Sequence, residues 1–269
     1  MYNLIATDLD GTLLNDKKEI SDRCQEDIKK LKKMGKKIVL ATGRPLHGII
    51  PYLKTLDLYD DNTYVVVYNG AVVVNATGED IIFDTPVSLD TYKELYNLSK
   101  QLGVNIHALT LGGVHTPKNN PYTGVESSIN KIPVTEGAIE DIDPSTKIIK
   151  VMFVDDPKKL DDITPLIPDW VKEKYTVVRS ADIFLEFLNK NVNKGVGVSI
   201  IAERFGIKPQ EVICIGDAEN DISMIRYAGL GVAMANATLD VKAAADYITL
   251  TNEEDGVAHV IEKFMLNIE

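Results

Sequence analysis

The stretch YNLIATDLDGTLL, residues 2–14, ends an apolar run in two carboxylates, Asp8 and Asp10, followed by Gly11 and Thr12. Negative charge at the end of a buried strand is costly unless something pairs with it. Two positions apart on a strand, the side chains point to the same side. They either close a turn with Gly11 or hold a cation against a substrate. Similar junctions recur. ATGRP ends a second apolar run with the hydroxyl of Thr42 and with Gly43, whose backbone can approach an anion, although taken alone Thr42 reads better as a helix cap. IGDAENDISM ends a third with Asp217, Asn220 and Asp221 at the start of a helix, where free N–H groups and the dipole attract anions. Lys194, in VNKGVG, stands just before another helix, and taken alone it reads as solvated surface.

Together these residues make one demand. Asp8, Asp10 and Asp217 offer oxygen ligands of the kind a hard cation such as Mg²⁺ prefers. Thr42, Gly43, Asn220 and Lys194 offer donors and positive charge for a phosphoryl group. A metal, an anion clamp, a nucleophile and a general acid are the requirements of phosphoryl transfer.

The elements that must position them follow from periodicity. NLIATD, KKIVLATG and TYVVVYNG read as strands separated by helices over SDRCQEDIKKLKKMG and PLHGIIPYLKTLDL, with AVVVN a further strand beyond a turn at Asn69-Gly70. Such β-α-β-α-β order predicts a parallel sheet. The style returns near the C-terminus, with helices over GVGVSIIAERFG, NDISMIRYAG, LDVKAAA and GVAHVIEKFML and strands at EVICIGD, LGVAM and DYITL. Between them lies an α+β stretch: a helix over Leu89 to Leu102, strands at NIHALT and GGVHT, a loop-rich polar stretch, then KIIKVMFVDD, helical segments and two strands, TVVRSA and IFLEFLN. The expected fold class is therefore α/β. A doubly wound parallel-sheet core of residues 1–85 plus 190–269 carries an inserted α+β domain over 86–189, with crossings at Thr85-Pro86 and in NKNVNKG.

Bulk properties narrow the partners. The chain has 269 residues and a formal net charge of −11. So acidic a protein is a poor partner for nucleic acid or an anionic membrane, and an anionic substrate would need locally supplied positive charge. Cys24 and Cys214 both sit in apolar patterns and read as buried hydrophobes, which fits a reducing cytoplasm. Asp8 and Asp10 interrupt any signal-like apolar region, and no run reaches the roughly 18 apolar residues of a membrane span. His107 and His115, on separate strands, read as surface residues, and His259 as a polar-face residue of the last helix.

DLDGT, ATGR, NKG and GDAEND, in this order and at these separations, resemble the motifs of the haloacid-dehalogenase-like phosphatase superfamily. YNGA, FLEF and VNKGVGV are similar to its Cof-type branch, with sugar-phosphate phosphatases nearest and the insert corresponding to a type IIB cap. The resemblance covers the whole chain. It implies that Asp8 attacks phosphorus and that Asp10 serves as acid and then base. It also implies that Mg²⁺ is held by Asp8, the Asp10 carbonyl and Asp217. The backbone of Leu9, with Thr42, Gly43, Lys194 and Asn220, would bind the phosphoryl oxygens, and Asp221 would orient the lysine or the metal's waters. The cap would choose a small phosphorylated metabolite through residues among Arg44, Asn69, Lys150, Arg179 and Glu186, unless these are surface or hinge residues. A phosphomutase on the same core, or a catalytically silent sugar-phosphate sensor, are the rival readings; oligomeric state is not legible.

Overall fold

The computed structural model describes residues 1–268, in two compact units: residues 1–84 with 193–268, and residues 85–192. The first unit opens with β1 (Leu4–Thr7), α1 (Asp22–Lys33), β2 (Lys37–Leu40), α2 (Ile50–Thr55), β3 (Tyr64–Val67), β4 (Val72–Asn75) and β5 (Ile81–Asp84). The second unit holds α3 (Leu89–Leu102), β6 (Asn105–Thr110), β7 (Gly113–Thr116), α4 (Pro121–Asn130), β8 (Val134–Glu136), β9 (Ile148–Val154), α5 (Pro157–Ile163), α6 (Asp169–Lys174), β10 (Tyr175–Ala181) and β11 (Phe184–Asn189). The chain then completes the first unit with α7 (Lys194–Arg204), β12 (Val212–Gly216), α8 (Ile222–Tyr227), β13 (Leu230–Ala233), α9 (Leu239–Ala244), β14 (Tyr247–Ile248) and α10 (Gly256–Ile261).

The first unit is built on a parallel sheet in the order β14-β13-β12-β1-β2. One further parallel bridge, Ala41 to Val66, links β2 to β3, which begins an antiparallel ribbon with β4 and β5. Every residue of β1 is buried, as befits a strand covered on both faces. Alternate residues Leu4 and Ala6, Val39 and Ala41, and Val212 and Cys214 share one core cluster with Val198, Ile201 and Ala202 of α7. Local signals set the helix ends. Ser21 Oγ accepts the Cys24 N–H at the start of α1, and Gly35, at φ +74°, follows its end. Strand order runs outward in one direction from β1 and in the other from β12. The point where it reverses lies between these two strands, and their carboxyl ends carry Asp8 and Asp217.

In the second unit a six-stranded sheet, β10-β11-β9-β6-β7-β8, is antiparallel except where β7 meets β8. Its core joins Tyr92, Leu95 and Leu98 of α3 to Ile106, Val151, Phe153, Leu185 and Phe187 of the sheet and to Leu160 and Val171 of α5 and α6.

Two expectations are corrected. The stretch after Thr116, read as loop, contains α4 and β8. Helix α4 is inverted: its buried residues are Thr123, Glu126 and Asn130, while Val125 and Ile129 face solvent. A pattern search for an apolar inner face therefore misses it, although Asn120 caps it and Pro121 starts it. His107, read as surface, is fully buried. One ring nitrogen lies 3.0 Å from Thr123 Oγ1 and the other 3.3 Å from Met152 Sδ, so α4 and β9 bury what strand alternation left ambiguous. The short β5 is also absent from the sequence reading. Among the described residues no helix is long and apolar enough to cross a membrane.

Candidate active site

Strand β1 stops at Thr7, and its last ladder bond runs from the Asp8 N–H to the Ile215 carbonyl of β12 at 3.0 Å. The chain then turns tightly. The N–H groups of Thr12 and Leu14 fold back to the Leu9 carbonyl, and that of Leu13 to the Asp8 carbonyl. This leaves Leu9 N–H with no acceptor among the described residues, at the position expected for an anion contact. Gly11 makes the turn possible. Its φ is +80°, and a Cβ there would lie 2.5 Å from Asp217 Oδ2. Thr12 Oγ1 donates to Asp217 Oδ1 at 2.7 Å, tying the ends of β1 and β12 together.

Lys194 is the first residue of α7, whose N-cap Asn193 accepts the Val196 N–H at 2.9 Å. The next N–H, of Gly195, donates to Ser223 Oγ at 3.1 Å, which brings α7 beside the start of α8. The Lys194 side chain is wholly buried, not solvated surface. Its ammonium donates to Asp8 Oδ1 and to Asp221 Oδ1, each at 2.6 Å. Asp221 is locked further, since its Oδ2 accepts the N–H groups of Asp217 and Ala218 at 3.0 Å each.

Oxygens of Asp8, Asp217 and Asp221 lie within 4.8 Å of one another, a grouping able to hold a metal ion. Both oxygens of Asp221 are committed, so Asp8 and Asp217 are the members free to ligate. Burial pushes the Asp8 carboxyl upward despite the opposing pull of Lys194, and Asp221 and Asp217 add to the rise. Burial likewise raises Asp217 to about 6, against the Thr12 hydrogen bond. One ammonium serves three crowded carboxylates, an excess of negative charge that a divalent cation would offset. All the donors are hard oxygens, which fits Mg²⁺.

Asp10 faces elsewhere. Arg44 Nε donates to its Oδ2 and Nη2 to its Oδ1, both at 2.7 Å, and Lys18 Nζ reaches Oδ1 at 2.8 Å. Burial alone would raise this carboxyl, but the bonds from Arg44 and Lys18 outweigh it and hold it below the ordinary carboxylate range.

Thr42 follows β2 and is buried, with its N–H on the Val66 carbonyl at 2.8 Å. Its Oγ1 accepts the Arg44 N–H at 3.1 Å, a capping bond. Gly43 packs against the side chain of Asn69. Asn69 belongs to this first unit and is buried in a left-handed conformation at φ 58°. Its Oδ1 accepts from Asn220 Nδ2 at 2.9 Å.

The structure thus brings Asp8, Leu9, Asp10, Thr42, Gly43, Arg44, Asn69, Lys194, Asn220, Asp217 and Asp221 together in one unit. Lys150, Arg179 and Glu186 lie in the other. Lys150 and Glu186, each 2% exposed, pair with one another at 2.6 Å, so neither is a surface or hinge residue. Ser180 Oγ also donates to Glu186. Arg179 is tied within its own unit to the carbonyls of Ala181 and Asp182 and to Asp161. Thr12 and Lys18 were not singled out beforehand; the DGT sequence signals the first, and nothing local signals the second.

Comparison with known proteins places the whole chain among haloacid dehalogenase-like hydrolases. The Bacillus subtilis protein YxeH is 41% identical over 268 residues, covering 99% of each chain. A haloacid dehalogenase-like hydrolase from Bacteroides thetaiotaomicron superposes with a TM-score of 0.87 at 36% identity, over 98% of this chain and all of that one. BT4131, described as a subclass IIB sugar phosphatase of the same superfamily, superposes with a TM-score of 0.79 at 27% identity, over 97% of this chain and 98% of its own. The haloacid dehalogenase-like hydrolase family matches residues 5–261, and the chain belongs to it.

Proposed function

We propose that this chain is a phosphatase of sugar phosphates or similar small phosphorylated metabolites, working through a phosphoryl group carried on Asp8. The observation that carries the reading is the buried set Asp8–Lys194–Asp221 at the reversal point of the sheet, with Asp10 two residues beyond the nucleophile.

In the first half an oxygen of Asp8 attacks phosphorus. The bond from phosphorus to the ester oxygen breaks, and Asp10 gives its proton to the departing alkoxide. In the second half water attacks the phosphorus of the aspartyl-phosphate. Asp10 takes the water's proton, the bond from phosphorus to Asp8 oxygen breaks, and inorganic phosphate leaves. Splitting one hydrolysis into two steps lowers each barrier. Proton transfer by a placed carboxyl contributes about 10²–10⁴-fold. Arg44 and Lys18 favour the ionised form of Asp10, the form the second half requires. A phosphoryl dianion arriving nearby opposes them and favours the protonated form required by the first. Lys194, the N–H groups of Leu9 and Gly43, the Thr42 hydroxyl and the Asn220 amide bind the phosphoryl oxygens. Asp221 fixes Lys194 and the N–H groups that begin the turn after β12. Asp8, the Asp10 carbonyl and Asp217 would hold Mg²⁺, which would neutralise charge between carboxylate and phosphate.

We read the second unit as the cap that discriminates among leaving alcohols; the description of BT4131 as a sugar phosphatase supports this substrate class. Two buried free cysteines suit a reducing, cytoplasmic setting.

The test is phosphate release from a panel of sugar phosphates, with Mg²⁺ and with EDTA, beside Asp8→Asn. Release that needs Mg²⁺ and disappears in the variant is expected. Normal turnover by Asp8→Asn would overturn the mechanism, and isomerisation without release would make the protein a mutase.

A further inference from the structure

Asp10 serves the proposed chemistry twice, yet its own turn does not fix its side chain, which is 39% exposed. Arg44 fixes it. The two parallel bonds, Nε to Oδ2 and Nη2 to Oδ1, form the two-point contact that a guanidinium makes and an ammonium cannot. Arg44 is held from three sides in turn. Its N–H donates to Thr42 Oγ1 at 3.1 Å, its carbonyl accepts the Tyr68 N–H at 3.1 Å, and its guanidinium carbon lies 5.4 Å from the centre of the Tyr52 ring. Its side chain is 16% exposed, whereas that of Lys18, the other partner of Asp10, is 51% exposed and loosely held.

We propose that Arg44 is a positioning residue for Asp10. Its fork sets the direction of the Asp10 carboxyl, and its backbone links that direction to the Thr42–Gly43 turn. This assigns Arg44 to the proton-transfer step and away from the choice of alcohol, and it rests on the reading of Asp10 as acid and base. In the step concerned, a proton passes from an Asp10 oxygen to the ester oxygen as the bond to phosphorus breaks. Arg44 neither gains nor loses a proton. Esters differ in their need for that proton. A sugar alkoxide is a poor leaving group and requires it, whereas the phenolate of p-nitrophenyl phosphate leaves without it. Loss of aim at Asp10 in this first half is therefore graded by leaving group, and loss of general structural integrity is not; the second half, in which Asp10 is the base, is common to both esters, so release of the alcohol in a single turnover is the step to compare.

The experiment compares Arg44→Gln, Arg44→Lys, Asp10→Asn and the double variant Arg44→Gln/Asp10→Asn, with saturating Mg²⁺. It measures KM and the single-turnover rate of alcohol release on a sugar phosphate and on p-nitrophenyl phosphate. Arg44→Gln should lower the rate of alcohol release from the sugar phosphate about tenfold or more, a share of what a placed acid supplies, with little change in KM and a much smaller loss on the phenyl ester. Arg44→Lys keeps charge without the fork and should recover only part. In the Asp10→Asn background, Arg44→Gln should cost nothing further. Equal losses on the two esters, additive losses with Asp10→Asn, or a KM rise confined to particular sugars would each overturn the proposal. Arg44→Lys carries the same comparison if Arg44→Gln does not fold. Should Asp10→Asn itself leave alcohol release from the sugar phosphate intact, the reading of Asp10 fails and takes this one with it; a normal Asp10→Asn defect with additive Arg44→Gln fails this one alone.

Discussion

Replacing Lys194 with methionine tests how the centre of the site is held together. The ammonium sits 2.6 Å from oxygens of both Asp8 and Asp221, and the three side chains are 0%, 8% and 0% exposed. Among the described residues no other cation pairs with either carboxylate. Removing one partner of a buried ion pair costs about 3–5 kcal/mol, because the other charge is left behind. A stranded carboxylate can escape by taking a proton. At pH 7 that costs about 4 kcal/mol for a group whose ordinary value is near 4, which bounds the contribution of either stranded carboxylate at a similar figure. The loss should shrink by about 1.4 kcal/mol for each unit of acidification towards pH 5, because the proton becomes cheaper to bind. Asp221→Asn can keep its carbonyl oxygen on the N–H groups of Asp217 and Ala218, but it turns an amide N–H towards Lys194. The double variant, Lys194→Met with Asp221→Asn, leaves only Asp8 without its partner and should lose at least about 2 kcal/mol less than the sum of the single losses. Calorimetry is the assay, since it resolves transitions of separate units. A loss below about 1 kcal/mol at pH 7, or strictly additive losses, would show that this set does not carry the energy assigned to it here.

Two further perturbations separate local from tertiary causes. Gly11→Ala and Gly35→Ala both place a Cβ on a left-handed backbone, and each should cost about 1 kcal/mol of strain. Only Gly11 meets an obstacle, Asp217 at 2.5 Å, while Gly35 has nothing within 4 Å. Gly11→Ala should therefore also raise the Mg²⁺ concentration needed for phosphate release, and equal activity in the two variants would refute the close approach. In the second unit, burial first and Lys150 second lower His107 from 6.5 to about 3. Unfolded chains thus bind a proton below pH 6.5 that the folded unit refuses, so stability falls by about 1.4 kcal/mol per pH unit as the solution is acidified from 6.5 towards 3. His107→Gln should remove that slope from the second unit's transition, and an unchanged slope would refute the assignment.

Much of this was legible along the chain. Buried strands ending in Asp8 and Asp217 announce a site, because a parallel sheet with both faces covered leaves its carboxyl ends as the place where acids meet solvent and ligand. Apart from β5, strand and helix types in the first unit follow from apolar period, and Ser21 and Gly35 mark the ends of α1. Helix α4 was hidden for the same physical reason that made the others plain. Periodicity reports which face is apolar, and α4 buries Thr123, Glu126 and Asn130 against a polar neighbourhood.

The sequence by itself determined the fold class, the paired carboxylates and the composition of the proposed anion clamp. These depend on residue type, two-residue spacing and the order of short motifs, all of them local. Only the tertiary structure decided that Lys194 is buried and shared by two carboxylates, one of them 186 positions away. It also decided that Arg44 grips Asp10 rather than facing outward, and that Lys150 and Glu186 neutralise each other inside the second unit. A lysine or arginine in a sequence has the same propensity whether it is solvated or buried. Its partner is chosen by which strand ends the sheet order sets side by side, and β1 meets β12 only once the chain between them has folded.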